Sequence, residues 1–190
     1  MRLTEITQAW LSSSLKPGDT VIDATLGNGF DALFLAQKIG ADGHLYGFDV
    51  QEAAIEQSRQ ILAQEPCHQN LFLQGHERMA SLLPEEHHGS VQAIMFNLGW
   101  LPGSDKSIIT QADTTISALT QSISLLATGG KLSVMVYPGH QGGDTEAARV
   151  IQWLKQRCSQ TPHTLTFEKV EVPNRATAPI LLKIKKLGQP

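Results

Sequence analysis

Short apolar runs alternate with longer stretches of helical character along most of the chain. The apolar runs predict strands at residues 20–24, 44–48, 70–73, 91–96 and 131–137. The stretches before and between them predict helices at residues 4–15, 31–39, 51–64, 77–83, 110–127 and 144–158. In the first of these helices Ile6, Ala9, Trp10 and Leu11 are expected to share one face. Strands and helices that alternate in this order predict a parallel sheet with helices on both sides.

The pattern changes after residue 160. Residues 164–172 and 180–186 both read as strands, with no helix between them, and are joined by Pro173-Asn174-Arg175. Two consecutive strands predict an antiparallel hairpin added to the parallel sheet. We therefore expect an α/β fold: a doubly wound, Rossmann-like domain with seven strands, mostly parallel, and an antiparallel hairpin at its C-terminal end. At 190 residues, one domain spanning residues 1–190 is expected.

Composition narrows the class of protein. With 41% hydrophobic and 17% charged residues, the chain resembles soluble globular proteins. It has no apolar run long enough to cross a bilayer, and residues 1–5 lack the apolar core of a signal peptide, so a cytoplasmic protein without membrane association is expected. Cys67 and Cys158 are far apart and are expected to be free thiols.

Charge is distributed unevenly around a net value of −3. Residues 1–150 carry a balance of −8, whereas residues 151–190 hold seven basic and two acidic residues, a balance of +5. This basic end is either a surface that faces phosphates or a solvated strand edge protected by lysines.

A glycine turn follows the first predicted strand and carries the first chemical signal. Asp23 ends that strand, Gly27 and Gly29 follow it, and Asp49 ends the second strand. Small residues allow close backbone approach to a ligand, and the following helix offers free N–H groups. A carboxylate at the second strand's end suits the two hydroxyls of a ribose. These features predict a cofactor that contains a nucleoside.

Two such cofactors fit, a nicotinamide dinucleotide and S-adenosylmethionine. A dinucleotide needs the pattern G-x-G-x-x-G, but no glycine follows Gly29 three residues later. Asp23 would also repel a pyrophosphate, whereas it can face the ammonium group of a methionine moiety. The terminal hairpin is typical of methyltransferases. S-adenosylmethionine is therefore favoured, and an NAD-linked oxidoreductase is the alternative.

Three segments, at residues 23–31, 97–106 and 137–143, resemble a family of small class I methyltransferases labelled rRNA methylases. The resemblance covers nearly the whole chain and implies a class I methyltransferase fold. It also implies methylation of RNA, since the family includes enzymes that methylate the 5-aminomethyl group of 5-aminomethyl-2-thiouridine at the tRNA wobble position. The expected partner is thus the anticodon region of tRNA, held by the domain's own surface, by its basic end or by a homodimer.

Other functions stay open beside this one. The acceptor could be rRNA or a small molecule, and a cofactor-binding protein without catalysis is a further alternative. The polar, glycine-rich segment 97–106 argues against the last of these, because an inert module needs no acceptor site.

Residues at the strand ends are the expected cofactor contacts. Asp49 would bind the ribose, or cap the following helix. The resemblance places Gln51 beside the ribose and His76 and Glu77 beside the adenine, although Glu77 could instead begin a short helix. The complete predicted set is Asp23, Gly27, Asn28, Gly29, Asp31, Asp49, Gln51, His76 and Glu77, with Asp31 also a candidate capping residue.

The acceptor side is expected to follow the fourth and fifth strands. Asn97 begins a looser version of the Asn/Asp-Pro-Pro-aromatic motif of amino-group methylases, so it would hold the amine. Asp105 or His140 would orient or deprotonate it, unless Asp105 pairs with Lys106 on the surface. The predicted catalytic residues are Asn97, Asp105 and His140, and the predicted substrate contacts are Trp100, Pro102, Lys106 and Tyr137. No metal site is expected, and the other histidines, including His87 and His88, are expected to be solvated loop residues.

Overall fold

A computed structural model describes residues 2–99, 110–139, 143–172 and 178–188. Its strands are β1 (Thr20–Asp23), β2 (His44–Asp49), β3 (His68–Leu73), β4 (Val91–Asn97), β5 (Leu126–Val136), β6 (Leu165–Glu171) and β7 (Ile180–Lys186). Its α-helices are α1 (Leu3–Ser12), α2 (Phe30–Ile39), α3 (Glu52–Leu62), α4 (Met79–Leu82), α5 (Ala112–Leu125) and α6 (Gly143–Gln160). Single 3₁₀ turns lie at His76–Arg78 and Glu85–His87. Within these ranges, no helix is long and apolar enough to cross a membrane.

The strands form one sheet in the order β3-β2-β1-β4-β5-β7-β6. The first five strands pair in parallel, and β7 lies antiparallel between β5 and β6. Side chains from α4, α5 and α6 fill the core on one face of the sheet, and side chains from α1, α2 and α3 fill it on the other. The predicted doubly wound fold with a C-terminal hairpin is confirmed. Cys67 and Cys158 are buried free thiols, as expected.

The boundary between α5 and β5 differs from the prediction of a helix through residue 127. The helix ends at Leu125, and Leu126 is already extended. The ammonium group of Lys186 donates to the carbonyl oxygens of Ile123 and Leu126, at 2.9 and 2.6 Å. These bonds satisfy carbonyls that a helix end leaves free. A basic side chain 60 residues away in sequence thus helps to end the helix earlier than its own apolar pattern indicates.

The buried face of α1 also differs from the prediction. Thr7 and Leu11 are buried, whereas Ala9 is exposed. The Thr7 hydroxyl donates to the carbonyl of Leu3 at 2.9 Å, so this polar side chain can be buried with its hydrogen bond satisfied. Lys131, in the strand predicted to be wholly apolar, is likewise buried and donates to the Trp10 carbonyl and the Ser13 hydroxyl.

Three histidines meet at the end of the sheet where β1, β2 and β3 begin. The ring of His44 stacks on His68, with 4.6 Å between centroids, and lies 4.7 Å from the ring of His87. His87 Nδ1 is 3.0 Å from Thr20 Oγ1, so His87 is not the solvated loop residue that was expected. Burial and the two neighbouring imidazoles lower the pKa of His44. No group of three His, Cys, Asp or Glu residues in the described ranges is arranged to hold a metal ion.

Candidate active site

The turn between β1 and α2 depends on two glycines with positive φ. Gly27 has φ +51° and Gly29 has φ +79°, values that residues with a Cβ atom rarely adopt. A Cβ atom on Gly29 would also lie 2.7 Å from Ile61 Cγ2 and 3.0 Å from Ser58 Cα on α3. Gly29 therefore lets α2 begin close against α3. This packing role adds to the predicted cofactor contacts of Gly27, Asn28 and Gly29, which stay predictions.

Asp49, at the end of β2, closes this turn from the neighbouring strand. Its Oδ2 accepts the N–H of Gly27 at 3.0 Å, and its Oδ1 accepts the N–H of Gln51 at the same distance. Each carboxylate oxygen can accept a second hydrogen bond, so Asp49 can still bind hydroxyl donors such as a ribose diol. Gln51 follows it directly and is half-buried.

Three carboxylates converge beside the turn. Asp23 is 1% exposed; its Oδ1 accepts the N–H of Thr25 at 3.1 Å, and its Oδ2 has no partner among the described residues. Burial raises the pKa of Asp23 well above its usual value, the charges of Asp31 and Asp49 raise it further, and the N–H groups of Thr25 and Ala32 oppose the change. None of the three carboxylates forms a salt bridge with a described residue. Such a site favours a cationic ligand, because a cation would compensate the buried charge.

His76, just after β3, contacts the start of the turn that follows β1. Its Nδ1 is 3.2 Å from the carbonyl oxygen of Ala24, and its ring packs against Phe96 with 5.4 Å between centroids. Burial lowers the pKa of His76, although Glu77, Ala24 and Asp49 act in the opposite direction. Because a carbonyl only accepts, the proton lies on Nδ1 and the buried Nε2 is an acceptor without a partner in the described ranges. Glu77 is half-buried and its side chain turns back toward Gly75.

Asn97, at the end of β4, joins the acceptor side to this carboxylate cluster. Its backbone N–H donates to Thr25 Oγ1 at 2.7 Å, and its side-chain Nδ2 lies 3.5 Å from Asp31 Oδ2. Burial raises the pKa of Asp31, and the hydrogen bond from Asn97 opposes the rise. Tyr137, after β5, is half-buried; burial and the charge of Asp31 raise its pKa, and a hydrogen bond with Asn97 lowers it. The structure therefore brings the predicted residues Asp31, Asn97 and Tyr137 together.

A recess opens beneath Asn97, between α1 and the ends of β4, β5 and β7. Its lining includes Thr4 and Thr7 from α1, Met95, and Ser133 and Met135. The hydroxyl of Ser133 is buried and has no hydrogen-bond partner within the described ranges. Sequence reasoning missed Ser133, which lies in the middle of an apolar strand, and Thr25, whose hydroxyl ties the glycine turn to Asn97. The predicted residues Trp100, Pro102, Asp105, Lys106 and His140 lie outside the described residues.

Comparison with protein families gives a match over residues 45–185 to the family described as "Putative rRNA methylase". Among curated proteins, the chain is 40% identical over 156 aligned residues to the chloroplastic tRNA (mnm(5)s(2)U34)-methyltransferase of Arabidopsis thaliana. That alignment covers 76% of this chain and 56% of the plant protein, so the chain spans little more than half the length of that relative.

Solved structures match nearly the full length of the chain. A protein from Clostridium thermocellum described as a "putative rRNA-methylase" superposes with a TM-score of 0.90 at 35% identity, and the match covers 97% of each chain. A protein from Streptococcus mutans described as a "putative methyltransferase", solved in complex with SAH, superposes with a TM-score of 0.86 at 35% identity, and the match covers 98% of this chain and 99% of that one.

Proposed function

The chain belongs to the rRNA methylase family of class I methyltransferases, and from this premise we propose that it methylates an amino group of RNA with S-adenosylmethionine. The acceptor proposed is the 5-aminomethyl group of 5-aminomethyl-2-thiouridine at the tRNA wobble position. The observation that carries this substrate is the 40% identity to the Arabidopsis tRNA (mnm(5)s(2)U34)-methyltransferase.

The residues around the glycine turn fit the proposed cofactor. Asp49 keeps free acceptor positions for the ribose hydroxyls, and the buried Nε2 of His76 offers an acceptor that no described residue uses. Asp23 and Asp31 would face the positive charge of the methionine moiety, since Asp23 Oδ2 is buried and has no partner among the described residues. When bound, the cofactor supplies a methyl group on a positively charged sulfur. Binding of S-adenosylhomocysteine by the S. mutans relative supports this assignment.

On the acceptor side, the residues would select and hold the neutral amine. A primary aliphatic amine is protonated at neutral pH and must lose its proton before it can attack. Asn97 is fixed through its backbone N–H to Thr25 and presents its side chain at the end of β4. We assign to Asn97 the orientation of the amine and to Asp105 or His140 the removal of its proton. Asp31, whose pKa is raised, lies beside Asn97 and offers a further proton acceptor.

The lysines of β7 divide between two faces of the sheet. Lys186 is used at the end of α5, whereas Lys183 and Lys185 project on the face that carries α1. There, the ammonium groups of Lys131 and Lys183 each lie 5.1 Å from the centroid of the Trp10 ring. Lys185 is exposed, and Lys183 pairs with Glu168 at 2.7 Å.

The α1 side of β5 and β7, with Lys131, Lys183 and Lys185, is called the lysine face, and it supports the proposed RNA partner. Ser133, which lines the recess beneath Asn97, pairs directly with Lys183 in the sheet. A nucleotide held at Asn97 would thus leave neighbouring phosphates within reach of the lysine face.

Mass spectrometry of nucleosides from tRNA incubated with the protein and labelled S-adenosylmethionine tests the proposal. We expect the methyl label in the methylaminomethyl nucleoside when the tRNA carries 5-aminomethyl-2-thiouridine, and none when it carries unmodified uridine. An Asp49→Asn variant is the control, because it should bind RNA but not the cofactor. Label in rRNA or in small molecules with none in tRNA would reject the wobble assignment while leaving the methyltransferase assignment intact.

A further inference from the structure

The first turn of α6 carries two carboxylates, and each accepts a hydrogen bond from a residue that lies in or flanks a segment predicted to bind the acceptor. Asp144 Oδ1 accepts the N–H of Gly139, just after β5, at 2.9 Å. Glu146 Oε2 accepts the hydroxyl proton of Thr110 at 2.7 Å. The segments that follow Gly139 and precede Thr110 belong to the two stretches predicted to bind the acceptor, residues 137–143 and 97–106.

Thr110 forms a pair of hydrogen bonds with Gly99, just after β4. The N–H of Gly99 donates to Thr110 Oγ1 at 2.9 Å, and the N–H of Thr110 donates to the Gly99 carbonyl at 3.0 Å. A threonine hydroxyl has one proton and two lone pairs. Because that proton goes to Glu146, a lone pair is fixed in place to accept from Gly99. Glu146 therefore sets the orientation of the hydroxyl that holds Gly99.

Glu146 is itself firmly held. Its residue is 6% exposed, and its second oxygen accepts the hydroxyl of Thr115 on α5 at 2.9 Å. Its position in the first turn of α6 is favourable for a carboxylate, because the free N–H groups at a helix start are partially positive. The carboxylate thus connects α5, α6 and Thr110 at one buried point.

We propose that Glu146 is a positioning residue for acceptor binding: through Thr110 it fixes Gly99, two residues after Asn97, while Asp144 holds Gly139, two residues after Tyr137. This inference rests on the proposed function, because it needs the acceptor to bind beside Asn97 and Tyr137. Neither carboxylate belongs to the cofactor cluster of Asp23, Asp31 and Asp49. Loss of the Glu146 network should therefore impair use of the acceptor and leave cofactor binding intact.

A matched pair of substitutions tests the proposal. Thr110→Val and Thr115→Val each remove one hydroxyl bonded to Glu146, but only Thr110 contacts Gly99. For Thr110→Val we expect kcat/KM for tRNA to fall about 10- to 100-fold, because small displacements of positioning groups have effects of this size. For Thr115→Val we expect a change of at most about threefold at temperatures where both variants are folded. Thr110→Ser keeps the hydroxyl and should restore activity.

Two further measurements separate positioning from a merely structural role. Binding of S-adenosylhomocysteine, measured by calorimetry, should be the same in all three variants and the parent. Hydrogen exchange at the amides of Gly99 and Thr110 should accelerate in Thr110→Val and remain slow in Thr110→Ser. Equal losses of kcat/KM in Thr110→Val and Thr115→Val, or unchanged exchange at Gly99 in Thr110→Val, would overturn the inference. If the parent does not methylate tRNA, the proposed function fails, and the exchange data alone decide whether the Thr110 hydroxyl holds Gly99.

Discussion

Replacing Asp23 with asparagine should stabilise the protein and weaken its cofactor binding at the same time. The carboxylate is buried at the centre of an acidic cluster, and one of its oxygens has no partner among the described residues. Asparagine has nearly the same shape and can still accept the N–H of Thr25, but it carries no charge. The substitution therefore removes the cost of a buried charge without leaving a cavity.

The size of the effect follows from this environment. A buried polar group without a partner costs about 1–3 kcal/mol and a charged one costs more, and asparagine removes only the excess that is due to the charge. We expect Asp23→Asn to raise the free energy of unfolding by about 2 kcal/mol at pH 8, which is roughly 4–8 °C in Tm for a chain of this size. Loss of a charged contact to the cofactor should cost about 1.5–3 kcal/mol, or roughly 10- to 150-fold in the Kd of S-adenosylmethionine.

The pH dependence of the free energy of unfolding independently tests whether the charge of Asp23 is destabilising. The pKa of Asp23 is raised in the folded state, so the folded protein binds the proton more tightly than the unfolded chain. The penalty of the charge is absent below the unfolded value of about 4 and is complete once the pH exceeds the raised pKa. The stability advantage of Asp23→Asn should therefore shrink as the pH falls toward about 4.

Thermal unfolding between pH 4 and 8, with calorimetric titration of S-adenosylmethionine, measures both effects. Asp19→Asn is the matched control, because Asp19 is also buried but lies at the other end of β1 and accepts the N–H of Lys16 at 2.8 Å. It should give no stabilisation and unchanged cofactor binding. An Asp23→Asn variant that is less stable than the parent at pH 8, or that binds the cofactor equally well, would refute the reasoning.

Three more predictions concern the remaining polar features. Lys186→Met should lower the free energy of unfolding, measured in urea, by about 1–2 kcal/mol, since two carbonyls at the end of α5 lose their donor. The control Lys185→Met should change it by less than about 0.5 kcal/mol. Equal losses in the two variants would contradict the role of Lys186 at the helix end. The pKa of His44 is lowered in the folded state, so the free energy of unfolding should be undiminished above the unfolded pKa of about 6.5 and should fall as the pH drops through the lowered value. His44→Gln should flatten this dependence of unfolding on pH. A variant whose stability falls with pH as steeply as that of the parent would argue against it. Lys185→Glu should weaken tRNA binding and reduce its salt dependence in filter-binding assays, with little change in S-adenosylhomocysteine affinity. An unchanged tRNA Kd would exclude the lysine face from the RNA site.

Much of the fold and of the cofactor cluster could be predicted because both follow from local patterns. Apolar runs of strand length predict the sheet, and the carboxyl ends of parallel strands meet at one edge. Asp23, Asp49 and Asn97 end β1, β2 and β4, so their convergence follows from the order of elements alone. Asp31 joins them because α2 starts directly after the glycine turn.

The contacts that were missed depend on partners distant in sequence. Glu146 looks like an ordinary acidic residue at a helix start, and only the fold shows that Thr110 and Thr115 donate to it. The face of α1 was wrongly predicted because hydropathy counts Thr7 as polar, although its hydroxyl is satisfied within its own helix. Lys131 is buried in an apolar strand for a similar reason, since its flexible stem carries the ammonium group to two acceptors at the end of α1, the Trp10 carbonyl and the Ser13 hydroxyl.

The order of the last two strands has a consequence for how the protein is made. β6 pairs only with β7 within the described residues, and β7 is synthesised after it yet lies between it and β5. While the chain emerges from the ribosome, β6 has no strand to join until residues 180–186 are also free. The early strands can assemble meanwhile, with the edge of β5 left open. Completion of the sheet is thus a late event that waits for β7, and a nascent chain stalled before residue 180 should be a preferred substrate for chaperones.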